Sequence, residues 1–341
     1  MLKKTTALFL FAALLFVLLS GCSSTPETKI GMLSSTGTTD DFSMSSSVWN
    51  GIEQAGREYG VKAVCEKPGS DEPGSFQKET EKLYNDGCRY IAAVGPEFSE
   101  TVAEAQEKYK NVKFIAVDCD LDKPRDNTVA VSFAEQEAGF LAAVASSLQQ
   151  KSGRFAVLLP SGDKSVTAYK NGFLQGVAYA NKNFGTNIVM GKSDYVFING
   201  ETDKDGALKS AKKLFESGAS VIFAPCGSAT SAVIDAAKEK RKAGKNVFAV
   251  CADSDWYKNG IYDGKNSAVM TSALKKADSA LYTIIKTTFE EKFPGGREIV
   301  FNAKNDGVGL PEVNPNLRED VIKTEALLIA QLKSGELSVN E

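Results

Sequence analysis

The chain has no histidine, and its 341 residues include only two tryptophans and five methionines. Without imidazole there is no histidine general base, no Ser-His-Asp relay and no Cys/His zinc site. Its six cysteines show no CxxC spacing, which removes a redox dithiol as well. Positive charge is not in excess: 40 basic residues face 43 acidic ones, a net charge of −3 with no evident basic face, so nucleic acid is not an expected partner. A long low-complexity linker is also missing.

What is present begins with an address. Met-Leu-Lys-Lys carries positive charge, and the apolar run Ala7 to Leu19 has signal-peptide length, short for a membrane-spanning helix. Leu19-Ser20-Gly21-Cys22 resembles the bacterial lipobox, which implies a signal peptide over 1–21 and lipidation of Cys22 as the first mature residue. An ordinary secretory peptide is the plainer alternative. The polar run Ser-Ser-Thr-Pro-Glu-Thr then makes 22–28 a tether. The mature chain is expected at the extracytoplasmic face of the cell membrane. Lys3 and Lys4 leave with residues 1–21 and no acid does, so 38 basic residues face 43 acids and the mature charge is −5. Without Cys22 the cysteines number five, so at least one is unpaired or pairs between chains. All but Cys88 lie in or at the ends of apolar strand-like runs and read as small buried hydrophobes.

The stretch Lys29 to Tyr59 sets the pattern. A short apolar run is followed by the turn-formers Thr-Gly-Thr-Thr-Asp-Asp-Phe, and then Val48, Ile52, Ala55 and Tyr59 recur at helical spacing. Strand, loop and helix then alternate. Further strands are predicted at Lys62 to Cys65, Tyr90 to Val94, Lys113 to Asp118, Thr128 to Phe133, Arg154 to Leu159, Val189 to Val196, Val221 to Pro225, Asn246 to Ala252 and Ala268 to Thr271. Among the helices between and after them are Ala134 to Gln149, Ser165 to Asn183, Ala273 to Glu290 and Arg318 to Leu332. Such alternation predicts parallel sheets covered on both faces. The mature length favours two lobes, 29–133 and 134–270, with 271–341 left to cross between them and pack on both. A cleft between two such lobes suits a small molecule.

Ligands of open parallel sheets sit beyond the carboxyl ends of the strands. Asp40, Asp41, Ser43, Met44 and Ser45 follow the first strand. Asp118 ends Lys-Phe-Ile-Ala-Val-Asp and Asp253 follows Asn-Val-Phe-Ala-Val-Cys-Ala. A carboxylate there can accept two hydrogen bonds from a vicinal diol, or it can simply cap the next turn. Asp118, Asp120 and Asp122 resemble the start of a calcium loop, but Lys123 replaces the turn glycine and Val129 the bidentate glutamate. Cys226-Gly227-Ser228-Ala229-Thr230 opens a helix and offers N–H groups, yet it matches neither GxGxxG nor the P-loop, and nearby carboxylates would repel a phosphate. A neutral polyhydroxylated ligand fits better, and no metal or cofactor is expected. Lys275, read as standing near a helix start, can counter the carboxylates; otherwise it is a solvated lysine. Phe42, Met44, Phe223, Trp256 and Tyr257 are candidates to flank a flat face, with a core role equally open to Phe223.

In order, the lipobox, Thr-Asp-Asp-Phe-Ser…Val-Trp-Asn-Gly, Asp118, Glu-Gln-Glu-Ala-Gly-Phe at 135–140, Tyr-Lys-Asn-Gly-Phe-Leu-Gln-Gly-Val, Asp253, Thr-Ser-Ala-Leu-Lys-Lys-Ala-Asp at 271–278 and Gly-Val-Gly-Leu resemble the basic membrane protein family. These are substrate-binding lipoproteins of ABC transporters similar to purine-nucleoside receptors. The resemblance covers most of the mature chain. It implies a type I periplasmic-binding-protein fold, two doubly wound α/β lobes joined by a three-stranded hinge, with a nucleoside enclosed between them. It further implies that Asp253 and Lys275 hold ribose hydroxyls, that Asp118 contacts the base, that Phe223 stacks on it, and that Asp41 belongs to the Asp-Asp loop. Three departures stand out. Ser43-Met44-Ser45 replaces the family's Ser-Phe-Asn, Cys226-Gly227 replaces Gly-Gly, and Cys251 stands where an acid is usual.

The expected ligand-binding set is therefore Asp41, Met44, Ser45, Asp118, Phe223, Gly227, Asp253 and Lys275. The leading function is a monomeric, lipid-anchored binding protein that delivers a nucleoside to an ABC permease. A same-fold binder of a sugar or signalling furanose and a ligand-sensing lipoprotein are alternatives. An exported hydrolase using Asp40/Asp41 or Asp253/Asp255 is disfavoured, because adjacent or alternate carboxylates seldom face one bond.

Overall fold

The computed structural model describes residues 28–34, 44–67, 73–161 and 164–341. Cys22, Asp40, Asp41 and Phe42 lie outside them. In chain order the first half runs β1 (Lys29–Ser34), α1 (Met44–Tyr59), β2 (Lys62–Glu66), α2 (Pro73–Asn85), β3 (Tyr90–Val94), α3 (Ser99–Lys108), β4 (Lys113–Val117) and β5 (Thr128–Phe133). Then come α4 (Glu135–Gln150), β6 (Ser152–Pro160), α5 (Lys164–Phe184), β7 (Asn187–Val189), β8 (Tyr195–Ile198), α6 (Lys204–Glu216), β9 (Ala219–Phe223), α7 (Thr230–Lys242), β10 (Phe248–Asp253) and β11 (Val269–Lys275). The chain ends with α8 (Ala277–Glu290), β12 (Arg297–Phe301), β13 (Val308–Gly309) and α9 (Glu319–Ser334).

Two sheets result. The first has the order β12-β5-β4-β3-β1-β2 and is parallel throughout. The second has the order β13-β11-β10-β9-β6-β7, with β8 also paired to β6, and only β13 is antiparallel. Strand residues alternate between two apolar faces, as a sheet covered on both sides requires. In the first sheet Ile30, Met32, Ala92, Val94, Ile115 and Val117 join one core, and Leu33, Ile91, Ala93, Phe114 and Ala116 the other. In the second sheet Phe155, Val157, Val221, Phe223 and Val250 point one way, and Ala156, Leu158, Ile222, Ala249 and Cys251 the opposite way. The α/β class and the two parallel-sheet lobes expected from the sequence are those observed.

Several local expectations need correction. The helix expected from Ala273 begins at Ala277, because Thr271–Lys275 continue β11, paired on one side with β10 and on the other with β13. Lys275 is thus a strand-end residue. The single strand expected over Val189 to Val196 is two, β7 and β8, separated by a turn in which the Asp194 carboxylate accepts from the Gly191 N–H and from Arg154. Strands β12 and β13 were not expected at all. All five described cysteines are free thiols, with Cys88, Cys226 and Cys251 buried and Cys65 and Cys119 half-buried.

The chain passes between the sheets three times, at 133–135, 275–277 and 301–308. These passages are tied side by side. The Ala134 N–H donates to Phe301 O, the Lys276 N–H to Gly307 O, and the Ala303 N–H to the Glu137 carboxylate. Helix α8 returns to the first lobe and lies against α1, where a Cβ on Gly51 would strike the Asp278 carbonyl. Among the described residues no helix is long and apolar enough to cross a membrane.

Candidate functional site

The carboxyl edges of the two sheets carry the same backbone device. Asp118 follows β4 with φ 51° and Asp253 ends β10 with φ 66°, two of four described non-glycine residues with positive φ. Aspartate is among the few residues that tolerate this left-handed conformation, and it turns each side chain out of the strand line. Between the two stands Lys275 at the end of β11. Its Nζ lies 2.8 Å from Asp118 Oδ2, 2.8 Å from Glu135 Oε1 and 4.0 Å from Asp253 Oδ1, and only 3% of its side chain is exposed. The Tyr169 hydroxyl donates toward Asp253 Oδ1 at 3.0 Å and lies 3.3 Å from Ala273 O. Lys275 also faces the rings of Phe133 and Tyr169, 5.7 and 5.6 Å from their centroids.

Burial alone would push the Lys275 ammonium down, but Asp118, Glu135 and Asp253 together hold it well above its ordinary value. The cation is permanent. Burial raises the Glu135 carboxyl, against the pull of Lys275 and with the help of the Asp118 charge. The Tyr169 phenol is raised well above its usual range by burial and by the Asp253 charge, which fixes it as a donor. One permanent cation, three carboxylates and a phenol make a surface of net negative charge that suits hydroxyl donors.

Helix packing places these groups. Helix α5 lays Val166, Tyr169, Phe173, Val177 and Ala180 on one buried face at helical spacing. It crosses α4 very closely: a Cβ on Gly139 would meet the Tyr169 carbonyl, one on Gly172 the Gln136 carbonyl, and one on Gly176 the Phe140 carbonyl. Glycine allows that approach, and it brings Tyr169 of α5 and Glu135 of α4 to the same cation.

The structure assembles Asp118, Asp253 and Lys275 as a group. Phe223 is not presented to it as a stacking surface. The residue is fully buried, its ring lies parallel to Phe173 with centroids 4.6 Å apart, and Tyr169 meets it edge-on at 6.0 Å. Its parity along β9 aims it under α5, the core role that the sequence left equally open. Met44 begins α1, half-buried against the main core. Ser45 is buried, and its hydroxyl shares a 2.8 Å hydrogen bond with that of Ser34. Gly227 takes φ 53° at the turn after β9, where a Cβ would press on the Glu201 side chain. Trp256 is buried with its indole N–H donated to Ala252 O, and the Tyr257 hydroxyl lies 3.2 Å from Lys265 O. Asp41 and Phe42 are outside the described residues.

Two members of the group, Glu135 and Tyr169, open blocks that carry the family resemblance but were given no role at the site from the sequence. Each had a signal: Glu135 is an acid at the start of an otherwise buried helix, and Tyr169 is the one hydroxyl on the apolar stripe of α5.

Comparison with known proteins gives the family. The family model described as ABC transporter substrate-binding protein PnrA-like, Bmp, matches residues 28–341. The CD4+ T-cell-stimulating antigen of Listeria innocua serovar 6a is 26% identical over 368 residues, covering 100% of this chain and 99% of the relative. The ABC transporter nucleoside-binding protein BmpA of Lactococcus lactis subsp. cremoris is 23% identical over 351 residues, covering 96% and 97% of the two chains. A solved solute-binding protein of an ABC transporter system from Aeropyrum pernix K1 superposes with a TM-score of 0.74 at 21% identity, over 92% of this chain and 93% of that one. With the match running from the first described strand to the last residue, the chain belongs to the Bmp family of PnrA-like ABC transporter substrate-binding proteins.

Proposed function

We propose that the protein captures a nucleoside in the cleft between its lobes and delivers it to an ABC permease, anchored to the membrane through lipid on Cys22. The observation that carries the reading is the Lys275 cluster, in which one buried cation touches a carboxylate of the first lobe and faces a second carboxylate of the other. Asp253, oriented by Tyr169, accepts from the ribose diol, and Lys275 donates to its oxygens. Asp118 serves the opposite wall, and Asp41, Met44, Ser45 and Gly227 are the further residues proposed to meet the ligand. The Lactococcus relative's name supports a nucleoside, and the lipobox-like Leu19-Ser20-Gly21-Cys22 supports the anchor. The lobes, 29–133 with the returning segment and 134–275, close about the three crossovers as a hinge, burying the ligand as they shut.

A furanose without a base is the second reading, favoured by Phe223 lying in the core and leaving one fewer ring for a base. The test is the melting temperature of the chain against nucleosides, free bases, nucleotides and pentoses. Ligand present at ~100 times Kd adds about 2.7 kcal/mol to the folded state, a visible shift. Purine nucleosides are expected to shift it and Asp253→Ala to lose the response. A panel in which only pentoses act replaces the first reading with the second, and one in which nothing acts removes both.

A further inference from the structure

We propose that Glu135 is a positioning residue of the cleft, which holds the Lys275 ammonium at the first crossover and so sets where that cation meets a ligand. The proposal rests on the binding reading above. Asp118 and Asp253 stand beyond strands of different sheets, so their separation changes whenever the lobes move. Glu135 is different. It is the first residue of α4, one position after Ala134, whose N–H is tied to Phe301 in the neighbouring crossover. Helix α4 packs directly on β11, whose last residue is Lys275, so Glu135 and Lys275 belong to one rigid unit. Their 2.8 Å contact survives opening, and the 2.8 Å contact of Lys275 with Asp118 does not have to. Asp253 shares the sheet of Lys275 but stands 4.0 Å from it, so without Glu135 the remaining 2.8 Å carboxylate contact of the ammonium is the one to Asp118, which depends on closure, and its position is less firmly set before the ligand arrives. Such preorganisation of a charged donor raises affinity.

The groups facing Lys275 are Asp118 beyond β4, Glu135 on α4, Asp253 at the end of β10 and Tyr169 on α5, with the Phe133 ring of β5 alongside. Burial raises the Glu135 carboxyl, against the pull of Lys275, so on acidification its hold weakens sooner than that of an ordinary carboxylate.

Glu135→Gln keeps the size and one acceptor oxygen while removing the charge. Calorimetric Kd values for adenosine, guanosine and inosine would be measured with the full chain in detergent, for the parent, Glu135→Gln, Lys275→Met and the double variant. Glu135→Gln is expected to bind about tenfold more weakly, and in the Lys275→Met background the same change is expected to cost less than about twofold. On acidification the parent's affinity is expected to begin falling at a higher pH than that of Glu135→Gln; Asp118 and Asp253 remain in both proteins, so the difference belongs to Glu135. Parent-like affinity in Glu135→Gln, or an equal loss in both backgrounds, overturns the proposal. If the parent binds no nucleoside, the functional reading fails by itself and urea midpoints of the same four proteins decide. A double variant that regains the midpoint lost in Lys275→Met supports Glu135 acting through Lys275, and additive midpoints overturn it.

Discussion

Asp118 and Asp253 share a backbone and differ in company. Both adopt a left-handed conformation beyond a buried parallel strand, one in each lobe. Asp118 spends its charge on Lys275 at 2.8 Å, whereas Asp253 stands 4.0 Å from the same ammonium and is held by a neutral phenol. The strand end fixes direction, and the neighbouring helices decide use. In the first lobe the carboxylate completes an ion pair that also spans the lobes. In the second it is oriented by a neutral donor at 3.0 Å and stands farther from the cation.

The widest break in this comparison is to remove the cation both share. Lys275→Met is expected to cost about 3–5 kcal/mol in urea unfolding, since Asp118 and Glu135 are then left facing each other partly buried without a counter-charge. The two aspartates can next be neutralised one at a time, with asparagine tolerating the same φ. Asp118→Asn is expected to lower stability by about 2 kcal/mol and Asp253→Asn by under about 1 kcal/mol, while nucleoside affinity falls about a hundredfold in the second. Equal stability losses would dissolve the contrast.

A third carboxylate sharpens it by showing what an acid does without a counter-ion. Glu325 on α9 is buried, and neither of its oxygens has a hydrogen-bond partner among the described residues. Burial holds it well above the usual carboxylate range. Its folded value exceeds its unfolded one, so the stability it permits is whole in acid and is lost as pH rises through the folded value. Glu325→Met is therefore expected to stabilise, by about 1.5 kcal/mol at alkaline pH and less in acid, as read from melting at a series of pH values. The smallest step is Tyr169→Phe, which takes the hydroxyl from Asp253 and Ala273 and leaves Asp118 untouched. A loss of about 1 kcal/mol is expected, with a severalfold weaker ligand and an unchanged response to Asp118→Asn.

Much of this was legible along the chain. The strands ending in Asp118 and before Asp253 stood out because fully buried parallel strands are continuous apolar runs closed by a polar residue. Lys275 was found, but in the wrong element. Thr271–Lys275 is too short for its periodicity to separate strand from helix, and its pairing with β10 and β13 settled the matter. Strand β12 escaped because four of its five residues are exposed or half-buried at a sheet edge, leaving little apolar signal. Phe223 was open to either reading, and the parity that sends it under α5 is visible only once the helix is in place.

The alternation of elements, the two aspartates at strand ends and the family are written along the chain, because burial pattern and motif order are local properties. The meeting of Lys275, Glu135, Asp118, Asp253 and Tyr169 is not. Those residues span 157 positions between Asp118 and Lys275, and what joins them is the close α4–α5 crossing at Gly139, Gly172 and Gly176 and the return of the chain through three adjacent crossovers. Contacts of that range depend on how packed layers fit, which no stretch of sequence carries on its own.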